Sequence, residues 1–158
     1  MKKIISICLM GAAGLFVSCI SKHHTTMKNT TIFPIGDKAT TYFTGDAWVN
    51  MLTTDVAHFD AMTYIVTFAP GSRNYWHSHP GGQILLCTSG KGFYQEKGKD
   101  IQLLQAGDVV EILPNVVHWH GATPESEFTH IGITTQASKN VVVWMEQVSD
   151  EEYNSFNK

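Results

Sequence analysis

The sequence predicts an all-β fold, a single barrel or sandwich with one short C-terminal helix. Three observations lead there. Short β-rich runs recur at regular spacing with turn residues between them. No helical periodicity appears before the C terminus. The 158 residues contain no internal repeat and suffice for one ordinary domain. A hydrophobic content of 43% with 16% charged residues excludes wholesale disorder. The 11 basic and 14 acidic residues include no dense Lys/Arg stretch, which argues against a nucleic-acid partner.

In chain order, the first segment reads as an address. Lys2 and Lys3 precede an apolar or small run from Ile4 to Val17, too short for a membrane span of roughly 20 residues. Residues 1–18 are therefore expected to be a signal peptide. Ser18-Cys19 after that run resembles a bacterial lipobox, which implies lipidation of Cys19. Residues 19–31 are polar and aperiodic and read as a tether. The expected product is exported and periplasmic or held at the outer membrane as a lipoprotein, with membrane contact only through Cys19. With Cys8 removed and Cys19 lipidated, Cys87 has no disulfide partner. Its apolar run, Ile84 to Cys87, marks it as a small core residue.

The strands follow within 32–158. Runs at Trp48–Leu52 and Met62–Phe68 are separated from the next by Pro70-Gly71. Gln83–Cys87 lies between Pro80-Gly81-Gly82 and Ser89-Gly90. Gly92–Gln95 and Ile101–Gln105 flank a hairpin turn at Lys97-Gly98-Lys99-Asp100. Val109–Leu113 ends at Pro114-Asn115, and Phe128–Thr135 and Val141–Met145 complete the set. Ser149 and Glu152 have the spacing of a capping box for the closing helix, which runs through Tyr153.

Eight histidines are the unusual feature of the composition. His77/His79 and His118/His120 stand at i, i+2, so on a strand each pair shares one face, with Ser78 and Trp119 on the other. One face of a small barrel is its interior, where an imidazole is costly unless it is bonded or ligates something. His130, with Phe128 and Gly132 on its face, can also point inward. Two pairs plus His130 are hard to explain as packing.

The spacing Gly71, five residues, His77-Ser78-His79, three residues, Gln83, six residues, Gly90 resembles the first motif of the cupin family, with Gln where Glu is usual. Gly107, Pro114 and His118 resemble the second. The resemblance implies a jelly-roll-like cupin β-barrel and a divalent transition metal held by His77, His79, Gln83 and His118. Manganese is the first expectation, with iron, zinc or nickel as alternatives; imidazole and amide donors disfavour calcium and magnesium. With Gln83 the site keeps a charge of +2 rather than +1. That favours holding an anion and weighs against oxidation of the metal.

Trp76–Pro80 with Gly82-Gln83, Gly107–Val110, His118–Ala122, Thr129–Ile131 and Trp144–Glu146 resemble the manganese-dependent cupin hydroxynitrile lyases and the cupins associated with carboxymuconolactone decarboxylases. By that resemblance His120 and His130 serve catalysis. The alternatives are an orienting role for His120 and a backbone-bonded core role for His130. The implied function is a lyase acting on a small hydroxylated or carbonyl substrate. A dioxygenase, an isomerase or a non-catalytic binding lipoprotein are the competing expectations. The resemblance also implies a homodimer. Trp76, Tyr75, Phe93 and Trp119 could line an apolar pocket but read first as core, and Arg73 reads as solvent-facing, with binding of a substrate carboxylate as the alternative.

Overall fold

The structure, a computed structural model, describes residues 32–157. The expected signal peptide, tether and Cys19 anchor lie outside the described residues. The elements in chain order begin with β1 (Asp37–Lys38), β2 (Phe43–Thr44) and β3 (Ala47–Met51). Then come α1 (Val56–Phe59), β4 (Ala61–Phe68), β5 (Arg73–Asn74), β6 (His77–Ser78) and β7 (Gln83–Glu96). The series ends with β8 (Gln102–Gln105), β9 (Val109–Ile112), β10 (His118–Ala122), β11 (Phe128–Thr135), β12 (Val143–Trp144) and α2 (Asp150–Tyr153). The strands pair antiparallel throughout, in a curled sheet of order β1-β3-β4-β11-β7-β10-β5-β2.

The sheet curls around β7. Its first half pairs with β9 and β11, and its second half with β8 and β10. The two runs expected either side of Ser89-Gly90 are thus one strand. The glycine sits at a bulge: Thr129 faces Ser89 while His130 faces Cys87, which leaves Thr88 as the extra residue. Gly90 has φ +72°, and a Cβ there would lie 1.8 Å from the Glu127 carbonyl oxygen. A turn signal in the sequence therefore marks a bend within a strand.

Two smaller differences follow from local energetics. The Val141–Met145 run keeps only two paired residues, against β6. The one-turn helix α1, absent from the sequence reading, is capped by Asp55, whose side chain accepts from the His58 N–H. One turn is too short to show periodicity. The capping box expected at Ser149 and Glu152 is present in full.

Two buried clusters divide the interior. The first includes Val66, Phe68, Leu85, Cys87, Tyr94 and Phe128, inside the curl. Burial, with Asp108 nearby, pushes the Cys87 thiol up to about 11, so it stays a protonated core group. The second cluster holds Trp76, Phe93, Trp119, Val148 and Tyr153. Period-2 alternation puts it on the opposite face of the strands that carry the histidines.

Candidate metal centre

Strand register brings the first ligands together. His77 on β6 stands directly opposite His118 on β10, and their ring centroids are 4.2 Å apart. His79 follows across Ser78 and returns to the same face, 5.1 Å from His77 and 5.7 Å from His118. A turn through Gly82, whose N–H donates to the His79 carbonyl at 3.0 Å, delivers Gln83 to the head of β7. The potential ligand atoms of His77, His79 and His118 all lie within 4.8 Å of one another, and all three residues are buried.

Each of these imidazoles has its Nδ1 against a backbone carbonyl. His77 meets Tyr75 O at 2.9 Å, His118 meets Val116 O at 2.9 Å and His79 meets Val141 O at 2.5 Å. A carbonyl can only accept, so Nδ1 carries the proton and Nε2 keeps its lone pair. Burial holds His77 well below its ordinary 6.5, reinforced by His118, and holds His118 at about 4 and His79 below its usual value. All three are neutral ligands at pH 7.

Two details test whether a cation fits. His79 Nε2 is buried with no hydrogen-bond partner. His118 Nε2 lies 2.9 Å from Gln83 Oε1, so two lone pairs face each other. A cation among these atoms satisfies the first and turns the repulsion of the second into attraction. Three imidazoles and an amide oxygen suit a transition metal, and among the described residues no carboxylate lines the adjoining cavity. The donor set therefore fits a divalent transition metal at His77, His79, His118 and Gln83.

The remaining sequence candidates separate. His120 is buried and lines the cavity beside His77. Burial, then the neighbouring His130, holds its imidazole well below 6.5. Asn74 pins it, accepting the His120 backbone N–H at 2.9 Å and placing its amide nitrogen 3.1 Å from the ring Nε2. His130 lies behind, its ring 4.7 Å from that of His120 and flanked by Phe68 and Phe128. It does not line the cavity, and burial lowers it to about 4, opposed by a backbone hydrogen bond at Ile131.

Arg73 is neither in solvent nor in the site. Its side chain is 4% exposed, donates to the Val148 carbonyl and to Asp150, and stacks over the Tyr153 ring at 4.6 Å. Trp76, Phe93 and Trp119 are core, as the sequence suggested. The cavity, about 190 Å³, is walled instead by Phe43, Val49, Met51, Met62, Val142 and Trp144, among others. Sequence reasoning missed Tyr64 and Asn74, which also line it. Tyr64 was recoverable, because alternation back from the inward Phe68 and Val66 points it inside; nothing local marks Asn74.

Comparison with known proteins agrees with this geometry. A cupin domain profile matches residues 64–131. The chain is 46% identical over 88 residues to an (R)-mandelonitrile lyase of Granulicella tundricola, covering 56% of this chain and 67% of that one. A cupin-like protein of Thermotoga maritima superposes with a TM-score of 0.76 at 55% identity, covering 78% of this chain and 94% of the other. A DMSP lyase from Ruegeria pomeroyi, at 15% identity and TM-score 0.58 over 73% of this chain and 64% of that one, shares the fold. The curled sheet, the histidines converging from two separate segments and these relatives all lead to one conclusion: the chain belongs to the cupin family and carries a buried three-histidine metal site.

Proposed function

We propose that this cupin is a metal-dependent lyase that splits a small hydroxylated compound into a carbonyl product and a stabilised anion, as in cyanohydrin cleavage. The observation that carries this is the juxtaposition of a neutral, cavity-lining imidazole, His120, with a metal set that has no anionic ligand. The (R)-mandelonitrile lyase relative supports the same reading. The cavity is walled by apolar side chains and, among the described residues, lined by no Lys, Arg, Asp or Glu, which favours an uncharged substrate. Its volume exceeds the ~150 Å³ that accommodates a benzene ring.

A divalent ion held by His77, His79, Gln83 and His118 supplies positive charge that lowers the pKa of a substrate hydroxyl. The residues do the rest. His120 accepts the hydroxyl proton on its one basic nitrogen, giving up the bond that the Asn74 amide N–H makes there at rest, while Asn74 Oδ1 keeps its hold on the His120 backbone N–H. As the carbon–oxygen bond becomes a carbonyl, the bond to the leaving carbon breaks and its electron pair departs on that carbon, cyanide in the cyanohydrin case. The imidazolium of His120 then returns the proton to the anion. In this reading His130 backs His120 as a second proton acceptor. We further propose manganese as the resident ion, export with lipid attachment at Cys19, and a homodimer.

The test is cyanide release from mandelonitrile, without oxygen, by manganese-loaded and metal-stripped protein. Release is expected only with metal, and His120→Ala should keep the metal while losing about 10²–10⁴-fold in rate. No release above the stripped control rejects cyanohydrin cleavage.

A further inference from the structure

Gln83 has two chemically different ends, and only one can ligate a metal. Its oxygen has lone pairs; its nitrogen has only N–H groups. In the structure Nε2 donates to Tyr64 Oη at 2.6 Å, which turns Oε1 toward His118 Nε2. Tyr64 Oη lies 3.2 Å from Thr134 Oγ1, which lies 3.4 Å from the protonated His79 Nδ1; with that N–H aimed at Oγ1, the phenol proton goes to Thr134 and Oη is left to accept from the Gln83 amide. The strand register builds this arrangement. Thr134 stands opposite Gln83, and Gly132 stands opposite Tyr64. A Cβ on Gly132 would meet the Tyr64 ring at 2.4 Å and its hydroxyl at 3.0 Å, so the phenol lies on bare backbone.

Without a metal, the reverse amide orientation is the better one, because it points N–H at the His118 lone pair. Something must hold the amide the other way. We propose that Tyr64, seated on Gly132 and backed by Thr134, is a positioning residue that fixes the polarity of the Gln83 amide and so makes a neutral glutamine competent as a metal ligand. A glutamate has two equivalent oxygens and needs no such device. The inference rests on the metal reading of the site and is independent of the lyase chemistry.

The experiment titrates manganese(II) alone into the metal-stripped chain, read by calorimetry and electron paramagnetic resonance. Four proteins are compared: wild type, Tyr64→Phe, Gln83→Glu and the double variant. Tyr64→Phe should weaken binding about 10–100-fold, the usual effect of losing a partner that orients a ligand. In the Gln83→Glu background the same change should cost at most a few-fold. Gly132→Ala, which keeps the phenol but displaces it, should reproduce the loss. Thr134→Val provides a second route if Tyr64→Phe fails to fold by thermal unfolding. Equal losses in both backgrounds would overturn the inference, leaving Tyr64 a packing residue, and so would unchanged affinity in Tyr64→Phe. Wild type that binds no manganese would overturn the metal reading with it, whereas absent cyanide release bears on the lyase alone.

Discussion

The two faces of the strand His118–Ala122 are built on opposite rules. On the outer face the buried polar groups find partners within the protein. Trp119 Nε1 donates to Gln95 Oε1 at 2.7 Å, the Tyr153 hydroxyl donates to the Ala122 carbonyl at 2.7 Å, and Arg73 donates to the Val148 carbonyl. Trp76 Nε1 is the exception there, with the Lys97 ammonium over its ring at 4.2 Å. On the inner face His79 Nε2, at the cavity wall, has none. An unpaired buried polar group costs about 1–3 kcal/mol. One residue of strand separates a face finished for stability from a face left open for a ligand.

The double variant His77→Ala/His118→Ala should have the largest effect. It strips the inner face and leaves the outer one untouched, so metal content should fall to none by element-resolved mass spectrometry. The rise in melting temperature on adding metal should vanish with it. Retained metal would erase the distinction between the faces. Phe93→Ala does the opposite. It opens a cavity among Tyr153, Phe156 and the neighbouring indoles and should cost about 3–5 kcal/mol in denaturant unfolding, while the folded protein still binds its metal.

The third outcome is smaller and concerns pH. Burial holds His130 at about 4 in the folded protein, whereas an unfolded imidazole titrates near 6.5. Between those values the unfolded chain binds the extra proton. Metal-free stability should therefore fall as the pH drops from about 6.5 toward 4, and His77, His79, His118 and His120, lowered by the same burial, add to the fall. His130→Leu should make that slope shallower in urea melts without abolishing it. On the outer face the Tyr153 phenol, pushed up to about 12 by burial, is silent in this window.

Much of the site was legible because its signals are periodic. His77/His79 and His118/His120 share faces by alternation alone, and Gln83 and Gly90 fall at motif spacing. What was not legible depends on partners far along the chain. Arg73 looks exposed until α2 brings Val148 and Asp150 to it, 75 and 77 positions away. Asn74 acquires its role from His120, 46 positions on. The break expected at Ser89-Gly90 is a bend within one strand, because a glycine with positive φ serves a turn and a bulge equally well, and only the pairing with Phe128–Thr135 decides which.

The long strand Gln83–Glu96 also has a consequence for how the protein forms. It carries one ligand at its head and pairs with the strand of His118 at its tail, yet Gln83 and His118 are 35 positions apart. Such non-local pairings form late and slowly. Three of the four donors lie within seven positions of one another, but the fourth, His118, joins them only when β10 pairs with β6, so the complete site forms with that long-range pairing. Removing the ion should therefore speed global unfolding, and metal supply would act on the lifetime of the native chain.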